Sequence, residues 1–299
     1  MKNKRILLAY SQLVSSLIIV GGATVVGKLL TNTLPIFLSN GLSLIIASFI
    51  YLFLLKINKI NLSVITKKDY FILFLIAFFG IFLYRILFFY GLKFTSASEA
   101  GIISSTLPAV FGIISFILLK EKIKSKQIYG IIFSVIGILL INFNGEVAIS
   151  GLFSRIFGNF LIFFSVIIGA LFSILSKFLS KKVTPMMISS ISTFFSTLLL
   201  FPLFVYDGIY FSFSLFNFTS LMLILYYGVF VSVISSLLWF DGLTVISMST
   251  AGVLTSLIPI TGIFLSFIIL KETLNLYQII GAFFVLISIF IVSKENRSN

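Results

Sequence analysis

The sequence contains no cysteine and no histidine among its 299 residues. Those absences remove disulfides, thiolate nucleophiles, thiolate and imidazole metal ligands, and imidazole acid–base chemistry. Neither a metal nor another cofactor is expected, and no catalytic residue is assigned. Charge is scarce as well: 10% of the residues are Asp, Glu, Lys or Arg, and only 8 are acidic. A soluble domain carries about a quarter charged residues. The net charge of +13 is not gathered into the basic face that a nucleic-acid partner requires. It sits in short groups such as Lys56, Lys59, Lys67 and Lys68, or Lys120, Lys122, Lys124 and Lys126. Nucleic acid is therefore excluded as a partner.

What the chain has instead is apolar surface. Hydrophobic residues make up 60% of it, with 37 Phe. A water-soluble fold cannot hide that much, so the expected solvent is a lipid bilayer. A bilayer core of about 30 Å needs about 20 mostly apolar residues as a helix. Such runs lie near 6–27, 34–55, 70–92, 97–119, 127–143, 157–180, 184–205, 219–240, 247–270 and 276–292. The basic start followed by an apolar run resembles a signal peptide, but no small-residue cleavage site follows it, so a retained first helix is expected. Lys and Arg concentrate in cytoplasmic loops. With the N-terminus inside, sixteen of the 21 basic residues fall on the inner side and Lys28, Arg85, Lys93, Arg155 and Lys271 on the outer. Both termini are thus expected on the cytoplasmic side of the cell membrane.

Two distant stretches share a pattern. Ile117–Gly130 reads "ILLKEKIKSKQIYG" and Ile268–Gly281 reads "IILKETLNLYQIIG". A shift of 151 residues also superposes Gly91, Ser96, Ser98, Ala100, Gly101, Ser105 and Pro108 on identical residues. Apolar bias alone does not reproduce Pro, Lys-Glu, Gln and Gly. The expected fold class is therefore an all-α membrane protein, with ten transmembrane helices as two five-helix repeats over 1–146 and 147–299. Five is odd, so the second repeat enters the membrane inverted, an arrangement typical of secondary transporters whose halves rock about a midplane site.

The stretches "FFYGLKFTSASEAGIISSTLPAVFGIISFILLKEKIKSKQIYG" and "LWFDGLTVISMSTAGVLTSLIPITGIFLSFIILKETLNLYQIIG" resemble the two repeats of EamA-type drug/metabolite transporters. The resemblance covers essentially the whole chain. It implies a carrier with a central cavity lined by spans 1, 3, 4, 6, 8 and 9, with spans 5 and 10 peripheral. It also implies small-molecule cargo, namely amino acids, metabolites or drugs, mostly exported. Two departures limit what carries over. Many relatives have an acidic residue where this chain has Ile258, and many carry an Arg in the second span, where it reads "SNGLSLIIA".

Ionisable groups inside spans cost about 2.5–3.5 kcal/mol each at a helix centre, so each needs a reason. Arg85 lies deepest, near the outer end of the third span, and Glu99 opens the fourth on the same side. Either Arg85 snorkels outward, or the two form a structural pair, or they are the outer vestibule's ligands for the carboxylate and ammonium of a zwitterion. Asp241 closes the eighth span beside Trp239, facing water or guarding the inner mouth. Ser105, Ser173, Ser236 and Ser256 lie on small-residue faces that serve either close helix packing or a cavity, and Tyr84 belongs to the interface belt or to the same cavity. Pro108 and Pro259 free backbone carbonyls and are candidate kinks. Gly130, Ser134, Gly137, Gly281 and Ser288 read as packing seams.

A membrane enzyme would need a convergent acid, base or metal cluster, whereas Arg85, Glu99 and Asp241 are split between two faces. A structural or receptor protein would close its small-residue faces without a cavity. The expectation is a transporter of small neutral or zwitterionic molecules, a monomer or weak homodimer. Uptake of a metabolite or a choline-like cation is the alternative, and it would need an aromatic box with an acid.

Overall fold

The computed structural model describes residues 2–31, 33–94, 103, 106–120, 125–141, 152–179, 182–212, 216–269 and 276–295. Among these residues the regular structure is helical and no strand occurs. α1 is Lys2–Thr31 and α2 is Ile36–Ile57. α3 begins as Lys67–Ala77, winds as a π-helix over Phe78–Leu83 and resumes as Tyr84–Phe94. α4 is Leu107–Leu119, α5 is Ser125–Ile141, α6 is Leu152–Leu175 and α7 is Pro185–Tyr210. α8 repeats the construction of α3: Phe218–Leu225, a π-wound Tyr226–Ser235, then Ser236–Gly242. α9 is Met248–Leu254, α10 is Leu257–Ile269 and α11 is Leu276–Glu295.

Six helices among the described residues are long and apolar enough to cross a membrane: Lys4–Ala23, Ile36–Ile57, Lys67–Phe88, Ile156–Phe178, Pro185–Tyr210 and Phe218–Gly242. Leu107–Leu119 and Ile279–Ile291 are shorter apolar helices. The molecule is a multi-pass membrane protein. Phe49, Phe53, Phe71, Leu198 and Phe283 are each more than half exposed, which suits lipid and not water.

Where the sequence led us to expect one continuous helix over 247–270, the chain forms α9 and α10, with turns at Thr255 and Ser256. The physical reason lies in three adjacent residues. Pro259 has no N–H to donate one turn back. Thr255 and Ser256 turn their hydroxyls onto their own helix, donating to Gly252 O at 2.6 Å and Val253 O at 2.5 Å, and such local bonds compete with a straight helix. In the first half, Pro108 falls in the first turn of α4, where the missing donor costs nothing.

Helix starts follow local chemistry. Thr66 and Asp69 form a capping box on α3, and Thr184, Asn217 and Ser247 cap α7, α8 and α9. Pro35 precedes α2 and supplies no side-chain cap. Asp207 of α7 does so instead, accepting from Phe37 N at 2.9 Å and Leu38 N at 3.2 Å.

α5 packs on α11, α2 on α7 and α8, α3 on α6 and α7, α1 on α8 and α10, and α4 on α6 and α9. The α5–α11 seam is tight: a Cβ on Gly137 would lie 2.7 Å from Gly281 O. The main core joins Leu13, Leu73, Ile76, Ile174, Ile188, Trp239, Phe240 and Met248. It fills the end of the bundle nearer the start of α1, called here the terminal end.

Candidate functional site

A π-wound segment bonds its N–H groups five residues back and disturbs the ordinary ladder, so its carbonyls look outward for partners. Neighbouring hydroxyls meet them here. Tyr51 of α2 is fully buried, and its hydroxyl donates to Ser232 O at 3.0 Å and Val233 O at 3.3 Å. Ser16 of α1 donates to Ser235 O at 2.9 Å and lies 2.9 Å from Ser235 Oγ. In α3, Ala77 O precedes the π-wound turn and accepts from Ser196 of α7 at 3.3 Å. Each π-wound helix is therefore held by hydroxyls from the helices packed against it.

At the terminal end the polar groups tie helices together. Trp239 Nε1 donates to Ser173 Oγ at 3.0 Å, joining α8 to α6, and Ser236 Oγ donates to Ser189 Oγ at 3.0 Å, joining α8 to α7. Gln12 of α1 donates to the exposed Asp241 carboxylate, and Lys177 donates to Leu243 O. Gln127 of α5 donates to Thr250 Oγ1 of α9 at 3.2 Å. Trp239 is 8% exposed and packs against Phe111.

The far end is built differently, around a charge. The Arg85 guanidinium of α3 donates to Asn40 Oδ1 of α2. Asn40 is 8% exposed, and its Nδ2 donates to Ile36 O at 2.8 Å, which turns its carbonyl oxygen toward Arg85. Tyr84 and Tyr227 are the electrostatic neighbours of the guanidinium. The Tyr226 and Tyr227 hydroxyls donate to Ile19 O and Ala23 O of α1. They fit notches left by Gly22 and Gly27, where a Cβ would lie 2.5 and 2.6 Å from the phenol oxygens. The aspartates among the described residues are engaged elsewhere: Asp69 in its capping box, Asp207 on α2 and Asp241 with Gln12.

The sequence candidates therefore separate. Arg85 and Tyr84 come together, joined by Asn40 and Tyr227. Ser173, Ser236, Trp239 and Asp241 line interhelical contacts at the opposite end. Ser256 is buried and bonded within its own chain segment. Glu99 and Ser105 lie outside the described residues, as does the side chain of Pro259. A groove of about 430 Å³, lined by Phe37, Ile86, Leu87, Tyr90, Phe157 and Leu203 among others, runs beside this end. Neither Asn40 nor Arg85 lines it.

The profile of the EamA-like transporter family matches residues 7–143 and again 156–294. The chain belongs to this family. An uncharacterized transporter of Bacillus subtilis (strain 168), YetK, is 37% identical over 289 residues, covering 97% of this chain and 88% of that protein. A second one from the same organism, YoaV, is 22% identical over 281 residues, covering 93% of this chain and 94% of the other. A solved structure titled "Crystal structure of protein" superposes with a TM-score of 0.78 at 15% identity, covering 100% of this chain and 99% of that one. That likeness speaks for the fold alone.

As a member of the EamA-like transporter family, the chain is a transporter, and the names of these relatives leave the cargo open. Asn40, Tyr51, Gln12 and Asp207 were missed by sequence reasoning. Asn40 and Tyr51 did carry a signal, as polar side chains inside a long apolar run. Asp207 carried none, because its partner lies on α2, 170 residues away in sequence.

Proposed function

We propose that this EamA-family transporter is a secondary carrier of small neutral or zwitterionic organic molecules, such as amino acids, related metabolites or drugs. It exports them across the cytoplasmic membrane by alternating access, with both termini cytoplasmic. The observation that carries this reading is the Arg85 guanidinium within a membrane-spanning helix, held by a neutral amide. Among the described residues no aspartate meets the guanidinium; an intramembrane cation is costly alone, and a substrate carboxylate makes a strong charge-assisted partner for it. Glu99, next along the chain on the same side, is the group we assign to the ammonium of a zwitterion.

Two five-helix repeats, 1–146 and 147–299, form the moving parts in this reading. Exchanging each helix of one half for its counterpart turns the α3–α6 contact into α8–α1, α2–α8 into α7–α3, and α1–α10 into α6–α4; all six contacts occur. The π-wound segments agree too, since a shift of 151 carries Phe78–Leu83 into Tyr226–Ser235. These correspondences support inverted repeats that exchange shape.

Counterflow of labelled amino acids in proteoliposomes, with and without a pH gradient, tests the function. We expect saturable counterflow that Arg85→Ala reduces by about tenfold or more, the worth of one charge-assisted bond. Selective transport of phosphorylated or multiply anionic compounds, with no amino-acid counterflow, would overturn it.

A further inference from the structure

The contact between the second and third helices of each repeat differs between the two halves. In the second half Ser236 of α8 donates to Ser189 of α7, a neutral pair. The shift of 151 places Ser236 opposite Arg85, and a shift of 150 places Asn40 opposite Ser190, next to Ser189. The same place in the fold thus holds two hydroxyls near one end and an amide with a guanidinium near the other. One half carries a charge there, and the other half carries none.

What holds that charge decides what it can bind. A guanidinium has five N–H donors and never gives up its proton. Asn40 takes one N–H through Oδ1 and adds no negative charge. Its own amide nitrogen is anchored one turn back on Ile36 O, and Asp207 fixes the backbone N–H groups of Phe37 and Leu38 just before it. The clamp is therefore rigid, oriented and neutral. An aspartate has nearly the same shape as asparagine and would reach the same nitrogen, but it would satisfy the guanidinium as a fixed ion pair.

We propose that Asn40 is the charge-selectivity determinant of the transporter. By positioning Arg85 without neutralising it, Asn40 reserves the guanidinium for a substrate bearing a single carboxylate. This rests on the reading of Arg85 as a substrate ligand and narrows its cargo to monocarboxylates, zwitterionic amino acids included. Asn40 is a positioning residue in this account, acting through Arg85. The neutral Ser189–Ser236 pair leaves the other half without a competing charge.

The test uses full-length protein in detergent and in proteoliposomes, screened for binding against the twenty common amino acids. The best binder is then compared with its deaminated acid and its decarboxylated amine. We expect the wild type to bind amino acid and acid but not amine. Asn40→Asp should lower affinity for both carboxylates by about tenfold or more, by filling the guanidinium internally; the lost donor to Ile36 O offsets part of the new ion pair, so the protein should stay folded with a melting midpoint near wild type. Asn40→Ala frees the guanidinium without adding charge, so affinity should fall only a few-fold and the preference for acid over amine should persist. Carboxylate affinity lost in Arg85→Ala but unchanged in a folded Asn40→Asp would overturn the role of Asn40 and leave the proposed function standing. Equal loss in Asn40→Ala and Asn40→Asp would mean that position matters and charge does not, which also overturns it. Binding of amine as tight as acid, or of no compound in the set, would overturn the carboxylate site itself.

Discussion

Gly80 sits inside the π-wound turn of α3, directly under the ring of Phe172 on α6. An ideal Cβ on Gly80 would lie 1.9 Å from Phe172 Cδ2, 2.3 Å from Cγ and 2.6 Å from Cβ. Ordinary contact begins near 3.4 Å, so Gly80→Ala forces the ring to retreat by about 1.5 Å. The retreat is not free, because Phe172 also stands edge-on to Phe240 of α8 with centroids 5.3 Å apart. Strain introduced on α3 is therefore passed through α6 to the other π-wound helix. Overpacking of this kind costs about 1–3 kcal/mol. Phe172→Ala alone leaves a cavity and costs about 3–5 kcal/mol. In the double variant the new methyl occupies part of the space the ring vacates. The two costs should then fall short of additivity by about 0.5–3 kcal/mol. Equilibrium unfolding in mixed micelles, run on the wild type, both single variants and the double, measures the coupling. A Gly80→Ala protein as stable as wild type, or costs that simply add, would refute the claim that these helices meet through this contact.

Tyr51→Phe keeps the ring and removes the donor to Ser232 O and Val233 O. Val233 O keeps the Ser236 N–H, so we expect about 1 kcal/mol of lost stability from the lost buried hydrogen bond; hydrogen exchange at the amides of Tyr226–Ser235 should rise in the variant and locate the loss. The two prolines should behave unequally. Pro108→Ala falls where no donor was needed and should leave turnover near wild type. Pro259→Ala restores an N–H just after the Thr255–Ser256 break and should slow turnover more than it changes affinity. Rate and binding measured on both variants decide this, and equal rates in the two would remove the break from the transport cycle.

Much of the architecture is written along the chain because bilayer solvation leaves so little choice. Without water to satisfy backbone groups, an apolar run must close its hydrogen bonds within itself, so length and hydropathy alone mark the long helices. The Lys-Glu and Gln-x-x-Gly repetition marks the two halves matched by the family profile, and the capping pairs Thr66–Asp69 and Ser247–Thr250 are local enough to be read directly.

Tertiary structure decided what one-dimensional spacing does not encode. The π-wound turns of α3 and α8 have no composition of their own. Hydroxyls on other helices meet them: Ser196 bonds Ala77 O just before the first turn, and Tyr51 bonds Ser232 O and Val233 O within the second. The candidate residues also sorted by depth and partner: Ser173, Ser236 and Trp239 bond across α6, α7 and α8, while Arg85 turns to Asn40, 45 residues earlier in sequence. A sequence shows that a charge lies in an apolar helix. Which group faces it, and whether that group cancels the charge or only holds it, depends on how two helices are set against each other.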